Sequence, residues 1–404
     1  MKKLRMAIVG LGSRGGGMLH AFYSKQKDIE ILYTCDEYED RAKDNAQFVK
    51  EQMGNDCRWT LDYKEVLADK DVEAVVVYTS WETHIKIAID CMLAGKITGM
   101  EVGGAYSVEE CWELVRTYER TKTPIMFLEN CCYDRSELLA LKMARAGMFG
   151  EIVHCSGAYS HDLRNEITHG KENRHYRLRN YLVRNGENYP THELGPIAKI
   201  LDINRGNRML SLVSMASKSA GLEAYVNANK DTINPELIGK KWAQGDIVTT
   251  VIKCANGETI LLKLDTTIPG FYNRDFTVRG TEGSYFQAFN GYLSGEDHSF
   301  NPVGFIRENL DSAEKYKDML PSQWLNITEE DKKTGHGGMD GFMCRQFIDR
   351  AKSGEEFALD VYDAASWMVI TALSEQSIAM GGAPVAIPDF TSGEWTRRQR
   401  KDVL

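Results

Sequence analysis

The stretch that decides the fold is residues 4–36, which read LRMAIVGLGSRGGGMLHAFYSKQKDIEILYTCD. The apolar run 6–9 precedes the pattern Gly10-x-Gly12-x-x-Gly15, a helical stretch follows, and the strand-like run 29–35 ends at Asp36. Glycines at this spacing allow a tight turn and close backbone approach, and the following helix N-terminus attracts a pyrophosphate. These residues therefore predict a β-α-β unit that binds a dinucleotide.

The same alternation of strands and helices continues to about residue 130. Apolar runs at 74–78, 97–102 and 124–128 alternate with helical patterns, which predicts an N-terminal Rossmann domain at 1–130 with a doubly wound parallel sheet. Beyond it, longer strands are predicted at about 209–218, 246–254, 258–267 and 275–281. They indicate a C-terminal α/β substrate-binding domain at 131–404 with an open, mainly antiparallel sheet. The C-terminal segment of this domain can pack back on the first domain.

Composition excludes several classes of protein. The 404 residues carry 49 basic and 58 acidic side chains, a net charge of −9 with no basic stripe, which argues against a nucleic-acid partner. No apolar run reaches the roughly 18–20 residues that a membrane span needs. Nine cysteines without framework spacing, and an N-terminus without an apolar leader, predict a cytoplasmic protein, or a periplasmic one if a leader has been removed. The absence of CxxC and HExxH patterns predicts no metal site.

Asp36 and Arg14 bear on the choice of dinucleotide. A carboxylate that closes the second strand can accept hydrogen bonds from the adenine ribose and repels a 2′-phosphate, which favours NAD over NADP. The alternative is that Asp36 only caps the next helix. Arg14, inside the glycine turn, is a candidate phosphate contact and weighs the other way. NAD is the predicted cofactor.

Three later segments follow predicted strands, at the sheet edge where ligands bind in such folds. They are residues 79–84, 101–103 and 129–130. Each has a plain structural alternative, since Trp81 can be a core residue and His84 a helix cap. Their common topological position favours a shared ligand.

Several longer runs resemble a known family. The chain is similar to the Gfo/Idh/MocA superfamily of sugar oxidoreductases and, more narrowly, to glycoside hydrolase family 109, the NAD-dependent α-N-acetylgalactosaminidases. The resemblance covers nearly the whole chain and rests on residues 128–133, 145–151, 189–196, 203–206, 214–217, 336–340 and 387–390.

The resemblance implies roles for particular residues. It implies NAD contacts at Gly10, Gly12, Ser13, Arg14, Gly15, Asp36, Trp81, Glu82, Thr83, His84, Glu101, Val102 and Asn130, with His161 beside the nicotinamide. It implies a sugar pocket lined by Tyr159, Arg177, Tyr189, Pro190, Thr191, His192 and Tyr272. It further implies tightly bound NAD that is recycled in each turnover, glycoside cleavage through transient oxidation at C3, elimination across C1 and C2, water addition and re-reduction, and a homodimer or homotetramer.

The chain departs from the wider superfamily at two catalytic positions. Typical sugar dehydrogenases of this type carry Glu-Lys-Pro where this chain has Glu101-Val102-Gly103, so their lysine is absent. Their Asp and His appear here as Asn188 and His192, whose i, i+4 spacing predicts one helix face. Asn188 cannot act as a base, which leaves His192. We therefore predict His192 as the acid-base residue, with Tyr159 or Tyr189 as proton donor or orienting group.

Two positions depart from the narrower family. Glu193 follows the predicted catalytic histidine where the family has Gly, and Gly341 follows residues 336–340 where Tyr is common. A carboxylate beside the pocket can alter which sugar is accepted. The exact sugar, anomer and aglycone are therefore left open.

Two other functions compete with a glycosidase. A conventional NAD-dependent sugar dehydrogenase would release NADH stoichiometrically, and the missing lysine counts against it. A non-catalytic sensor of sugar and NAD would use the same cleft without turnover, and His192 with its aromatic neighbours counts against that. Both alternatives share the fold, so fold alone does not separate them.

Overall fold

The computed structural model describes residues 2–296 and 300–404. The chain forms two compact units. Unit 1 comprises the residues up to Tyr133 together with Ile327–Ala365 and Val403, and unit 2 comprises Asp134–Asn326, Ser366–Asp402 and Leu404. Unit 1 is thus built from separate stretches of the chain.

Fourteen strands and fifteen α-helices are assigned among the described residues. The strands are β1 Leu4–Val9, β2 Ile29–Cys35, β3 Arg58–Thr60, β4 Ala74–Val77, β5 Ile97–Met100, β6 Ile125–Phe127, β7 Ile152–Ser160, β8 Met209–Ala216, β9 Ile247–Cys254, β10 Thr259–Asp265, β11 Thr277–Gly280, β12 Ser284–Phe286, β13 Gly291–Leu293 and β14 Val385–Ala386. The helices are α1 Ser13–Ala21, α2 Glu39–Met53, α3 Tyr63–Ala68, α4 His84–Leu93, α5 Val108–Thr121, α6 Arg135–Arg145, α7 Arg164–Thr168, α8 Arg177–Val183, α9 Thr191–Ile200, α10 Gly221–Ala228, α11 Pro302–Asn309, α12 Ser322–Leu325, α13 Glu329–Lys332, α14 Met339–Ser353 and α15 Val361–Ala379.

Unit 1 contains the predicted parallel sheet, with strand order β3-β2-β1-β4-β5-β6. Strand β4 is buried along its whole length, because helices cover both faces of such a sheet. Helix α14 comes much later in the chain but packs on this sheet. A Cβ on Gly99 of β5 would lie only 3.3 Å from the Phe347 side chain of α14. The Phe127 N–H of β6 donates to the Leu359 carbonyl at 3.0 Å. The prediction of a doubly wound Rossmann sheet is confirmed.

Unit 2 contains an eight-stranded sheet with order β13-β12-β11-β7-β10-β9-β8-β14. Only the β7–β10 pair is parallel, so the predicted open, mainly antiparallel sheet is confirmed. Strand β9 alternates buried and exposed residues, which is typical of a sheet with one covered face. Val213, Val251 and Leu261 pair side by side across three strands on the other face and stay at least partly exposed.

The short elements of residues 162–188 and 290–335 differ most from the sequence expectations. The polar stretch 162–188 contains helices α7 and α8, and the predicted connection 290–335 contains β13 and α11–α13, while its residues 297–299 lie outside the described part. Tertiary contacts hold such elements: the hydroxyl of Tyr181 in α8 lies 2.7 Å from that of Thr266. Local patterns of charge and hydropathy carry no trace of such a contact.

All nine cysteines are unpaired, and eight of them are buried. None of the described helices combines the length and the apolar composition needed to cross a bilayer.

Candidate active site

The turn between β1 and α1 has the shape of a phosphate-binding turn. Gly10 has a φ of +89°, and a Cβ on Gly15 would lie 1.9 Å from the Gly10 carbonyl oxygen, so neither position tolerates a side chain. Helix α1 begins at Ser13, and its first turn carries no acidic residue and no side-chain cap. Its first N–H groups therefore suit an anionic ligand, and the turn fits the pyrophosphate of a dinucleotide.

Asp36 lies directly beside this turn. Its carboxylate accepts hydrogen bonds from the Leu11 N–H at 2.6 Å and the Tyr38 N–H at 3.0 Å, and the side chain is buried. Asp36 is not the N-cap residue of α2, which is Tyr38. The carboxylate is thus held at the end of β2 with further lone pairs for ribose hydroxyls, and its negative charge disfavours a 2′-phosphate.

Arg14 is occupied by two carboxylates of unit 1. Its guanidinium contacts both oxygens of Asp340, at 2.7 and 2.9 Å, and its Nε–H donates to Glu101 at 3.3 Å. One cation between two carboxylates offers little net positive charge to the additional 2′-phosphate of NADP. Because Arg14 is paired with these carboxylates, it no longer counts as an argument for NADP.

The residues after β4, β5 and β6 lie at one edge of the parallel sheet, because these strands are neighbours. Trp81 and His84 are buried, and a Cβ on Gly103 would lie 2.4 Å from the Trp81 ring and 2.8 Å from the His84 ring. Burial lowers the pKa of His84 to about 4, so the imidazole is neutral at physiological pH. Val102 and Asn130 are also buried, whereas Thr83 is exposed and Glu82 is half-buried.

In unit 2, the start of α9 brings His192 to two tyrosines. Pro190 is the N-cap of α9, as predicted for a helix start, and His192 lies in its first turn. The Tyr189 hydroxyl is 3.3 Å from His192 Nε2, and their ring centroids are 4.7 Å apart. The ring of Tyr159, near the end of β7, lies 4.8 Å from that of Tyr189 and 5.7 Å from that of His192.

The prediction that Asn188 and His192 share a helix face is wrong. Helix α9 begins only at Thr191, so Asn188 precedes it. The residue before a proline is biased away from helical geometry, and Pro190 therefore sets the boundary. Asn188 is fully buried and donates to the side-chain oxygen of Gln244. It has a structural role in unit 2.

Tyr159 is a buried phenol at the centre of an aromatic cluster. Its hydroxyl lies 3.2 Å from His161 Nδ1, and its ring meets that of Tyr272 edge-on at 6.4 Å. Burial raises the pKa of Tyr159, against an opposing effect of the Arg177 charge. The group is therefore protonated at neutral pH and suited to donate a hydrogen bond or a proton.

Arg177 opens α8 and is almost completely buried. Its Nη1 donates to Glu166 of α7 at 2.5 Å, and its guanidinium lies 5.4 Å from the centre of the Tyr189 ring. Because Glu166 balances the buried cation, Arg177 can keep its charge beside the aromatic rings. Glu166 escaped the sequence analysis, since an eleven-residue separation on two short helices gives no periodic signal.

A second buried arginine fixes Tyr272. Arg274 donates to Glu137 at 2.7 Å, pairs with Asp134 at 2.8 Å and donates to the Tyr272 hydroxyl at 3.0 Å. Arginine has no acceptor, so the phenol oxygen must accept and its own proton points elsewhere. Tyr272 is half-exposed and is thus oriented as a donor. Sequence reasoning missed Arg274, because its carboxylate partners lie more than 130 residues away.

We predict that Arg274→Lys impairs substrate binding through Tyr272. Lysine keeps the charge and loses the fork that reaches Tyr272, so KM for the substrate should rise about 3- to 10-fold, while kcat changes less. Arg279→Lys, on the exposed part of β11, is the matched control and should be silent. In a Tyr272→Phe background the Arg274→Lys effect on KM should vanish. An equal effect there would contradict the prediction.

Two buried carboxyl groups accompany His192. Glu187 and Glu193 are completely or almost completely buried, and their side chains lie next to each other. A Cβ on Gly157 would be only 2.8 Å from that of Glu193, so α9 packs directly on β7 at this point. Burial raises the pKa of Glu187 to about 8. Glu193, which the sequence placed beside the pocket, is therefore part of the α9–β7 packing.

The carboxyl of Glu187 predicts a pH dependence of stability. The folded chain holds a proton that the unfolded chain releases near pH 4.5, so the free energy of unfolding should fall as pH rises from about 4.5 to about 8. Glu187→Gln keeps the shape without the ionisation. The decrease in Tm between pH 5.5 and 8 should therefore be smaller in this variant, by on the order of 2 °C. Glu223→Gln, on the exposed face of α10, should match wild type, and an equal decrease in both variants would contradict the assignment.

Gly341 lies in unit 1, within α14. A Cβ there would be 2.1 Å from the Thr334 hydroxyl oxygen, so the tyrosine common in the family would displace Thr334. The departure at this position is therefore explained by local packing within unit 1.

Two known protein families match successive parts of the chain. Residues 4–128 match the oxidoreductase family with an NAD-binding Rossmann fold, and residues 133–397 match the family described as glycosyl hydrolase 109, C-terminal domain. Among solved structures, a levoglucosan dehydrogenase in complex with NADH has a TM-score of 0.67 at 18% identity and covers 96% of this chain and 100% of its own. A myo-inositol 2-dehydrogenase from Lactobacillus plantarum has a TM-score of 0.64 at 16% identity, covering 96% of this chain and 100% of its own. At such identities these structures establish the fold.

The class defined by fold and turn is an NAD-binding protein of the Gfo/Idh/MocA oxidoreductase type. An α-N-acetylgalactosaminidase from Tannerella forsythia is 37% identical over 98% of this chain and 88% of its own length. A glycosyl hydrolase family 109 protein from Stenotrophomonas maltophilia is 35% identical over 100% of this chain and 92% of its own. The chain belongs to glycoside hydrolase family 109, and it is a glycosidase with an oxidoreductase-like fold.

Proposed function

We propose that the chain hydrolyses α-N-acetylgalactosaminides or closely related glycosides, using NAD that stays bound from one turnover to the next. The observation that carries the proposal is the cluster around His192 in unit 2. An imidazole beside one phenolic hydroxyl and against a second, protonated phenol supplies both a base and a proton donor. The relatives named α-N-acetylgalactosaminidase support this substrate class.

NAD, when bound, supplies a two-electron acceptor that takes a hydride from the sugar C3 and returns it within the same cycle. The residues that would hold it are the glycine turn, Asp36, Glu101, Asn130 and the residues after β4. Their chemistry fits the group, since the turn suits a pyrophosphate and the carboxylate suits a ribose diol.

His192 is the acid-base residue at C3 and C2 in this proposal. It receives the C3 hydroxyl proton during oxidation and releases it to solvent. It then takes the C2 proton, whose removal is feasible because the C3 carbonyl delocalises the carbanion as an enolate. The electron pair from C2 expels the C1 substituent, which leaves with a proton from Tyr159 or Tyr189. Water then adds at C1, the C2 proton returns, and the C3 hydroxyl is restored, so no net oxidation occurs.

Arg177 and Tyr272 are proposed to bind the sugar. Arg177 is anchored by Glu166, and Tyr272 by Arg274, so each presents a fixed donor to the oxygen atoms of a ligand. Rigid donors lower the entropy cost of fixing a small polar substrate. Pro190 and Thr191 complete the proposed set by positioning the start of α9.

A conventional dehydrogenase is less well supported. The segment after β5 is Glu101-Val102-Gly103 without the lysine of typical sugar dehydrogenases, and Asn188 is buried against Gln244. A dehydrogenase mechanism would then depend on His192 alone as its acid-base residue.

The test is proton NMR of the purified enzyme in D₂O with aryl α- and β-hexosaminides and no added NAD. Cleavage with deuterium at C2 of the released sugar is the expected result, because proton removal at C2 precedes departure of the aglycone. Cleavage without deuterium would overturn the elimination pathway. NADH accumulation without cleavage would identify a dehydrogenase, and NAD binding without any turnover would identify a sensor.

We also propose that the chain forms a homo-oligomer in the cytoplasm. The partly exposed row Val213, Val251 and Leu261 supports self-association through the open sheet face, since contiguous apolar surface on a sheet favours a partner. Nine unpaired cysteines support a reducing compartment. Light scattering after gel filtration tests the first proposal, and a mass at the monomer value would overturn it.

A further inference from the structure

Asp340 joins three separate segments of unit 1. Its carboxylate accepts from Arg14 Nη1 and Nη2 at 2.7 and 2.9 Å, from Asn130 Nδ2 at 2.7 Å and lies 2.7 Å from His336 Nδ1. Arg14 lies in the first turn of α1, Asn130 follows β6, and His336 precedes α14. Asp340 itself is 1% exposed. A buried carboxylate in this position fixes all three segments at once.

Residues 334–340, which we call the strap, fold back tightly on themselves. A Cβ on Gly335 would lie 2.3 Å from an Asp340 oxygen, and a Cβ on Gly341 would lie 2.1 Å from the Thr334 hydroxyl. Gly335, Gly337 and Gly338 all have positive φ. The strap therefore adopts a conformation that places His336 beside Asp340 and Asp340 beside Arg14, and a side chain at Gly335 would disturb it.

The charge state of Asp340 is secured by its partners. Burial alone would raise its pKa, but the Arg14 cation and the hydrogen bond with His336 hold the pKa well below the usual range for a carboxyl. The aspartate is thus ionised at any physiological pH. Its hydrogen bonds with Arg14 are charge-assisted and bidentate, the strongest geometry available to these groups.

We propose that Asp340 is the positioning residue that makes NAD release slow, because it fixes Arg14 and Asn130 against the dinucleotide-binding edge of unit 1. The inference rests on the proposed function, in which the cofactor stays bound through turnover. Arg14, Glu101 and Asn130, three of the proposed NAD contacts, belong to this one network. Release of NAD then requires the network to break, whereas a chain without Asp340 leaves each contact separately mobile.

The test compares Asp340→Asn with Asp349→Asn. Asp349 lies on the same helix, is exposed and pairs only with Arg345 in the described part of the chain, so it controls for the substitution itself. Each protein is loaded with labelled NAD, and the dissociation rate is measured after a chase with unlabelled NAD. Asp340→Asn should release NAD about 10- to 100-fold faster than wild type, since a charge-assisted interaction is lost. Asp349→Asn should not differ from wild type.

A double-mutant cycle separates positioning from general loss of structure. In an Arg14→Met background the Asp340→Asn substitution should accelerate release less than it does in wild type, because part of the effect of Asp340 passes through Arg14. If Asp340→Asn does not fold, His336→Gln serves instead and should give a smaller acceleration. Equal release rates for Asp340→Asn and Asp349→Asn, or additive effects in the cycle, would overturn the inference.

The same measurement separates this inference from the proposed function. A wild-type enzyme that loses NAD within one gel-filtration run would contradict cofactor retention itself. In that case the Kd for NAD replaces the release rate as the test of Asp340. A Kd that is unchanged in Asp340→Asn would overturn the role proposed for this residue.

Discussion

His192→Ala should lower kcat for an aryl α-N-acetylgalactosaminide by on the order of 10³-fold. The substitution removes the proposed base at C3 and C2 and the partner of the Tyr189 hydroxyl. It leaves the turn between β1 and α1 intact, so NAD should remain bound, as measured by absorbance of the denatured supernatant. Deuterium incorporation at C2 should fall in parallel with cleavage.

The matched control is His169→Ala. His169 is the half-exposed C-cap residue that follows α7, and its Nδ1 lies 2.9 Å from the Asn165 carbonyl oxygen. This variant should retain wild-type turnover. Turnover of His192→Ala within about tenfold of wild type would assign the base to another residue, and loss of NAD from it would indicate a structural role for His192.

Gly15→Ala should abolish NAD binding, with Kd rising at least about 100-fold. The added Cβ would lie 1.9 Å from the Gly10 carbonyl oxygen and 3.0 Å from the Tyr78 side chain, so the turn must open. The N–H groups of α1 would then no longer converge on the pyrophosphate. Calorimetric titration of the apoprotein with NAD measures the change.

Gly17→Ala, two residues further along α1, is a sharp control. A Cβ at Gly17 meets nothing within 4 Å, and alanine is favoured over glycine within a helix by about 0.5–1 kcal/mol. This variant should bind NAD normally and melt at the same temperature as wild type or slightly higher. A comparable loss of NAD binding in both variants would mean that the turn geometry does not explain the effect.

The sequence was most informative where neighbours in the chain are also neighbours in space. The glycine turn, Asp36 and the apolar strands of unit 1 lie within short β-α-β repeats, so periodicity and motif spacing predicted them. The helix start that carries His192 was likewise signalled by Pro190.

Groups that meet across long separations could not be inferred in the same way. Asp340 lies 326 residues from Arg14, and Arg274 lies 137 residues from Glu137, so their pairing depends on the finished fold. Asn188 shows the converse error, because its spacing from His192 suggested a helix that Pro190 shortens. Short helices such as α7 and α8 are held by tertiary contacts, and their polar sequence resembles that of a loop.

The discontinuity of unit 1 has a consequence for synthesis on the ribosome. Its sheet is complete in sequence by residue 127, yet the strap, α14 and Leu359, which contacts β6, come more than 200 residues later. The nascent Rossmann sheet therefore emerges without the segments that cover it, and residues 134–326 are translated in between. We therefore expect the hydrogen bonds of Asp340 with Arg14 and Asn130 to form only after the strap has been synthesised.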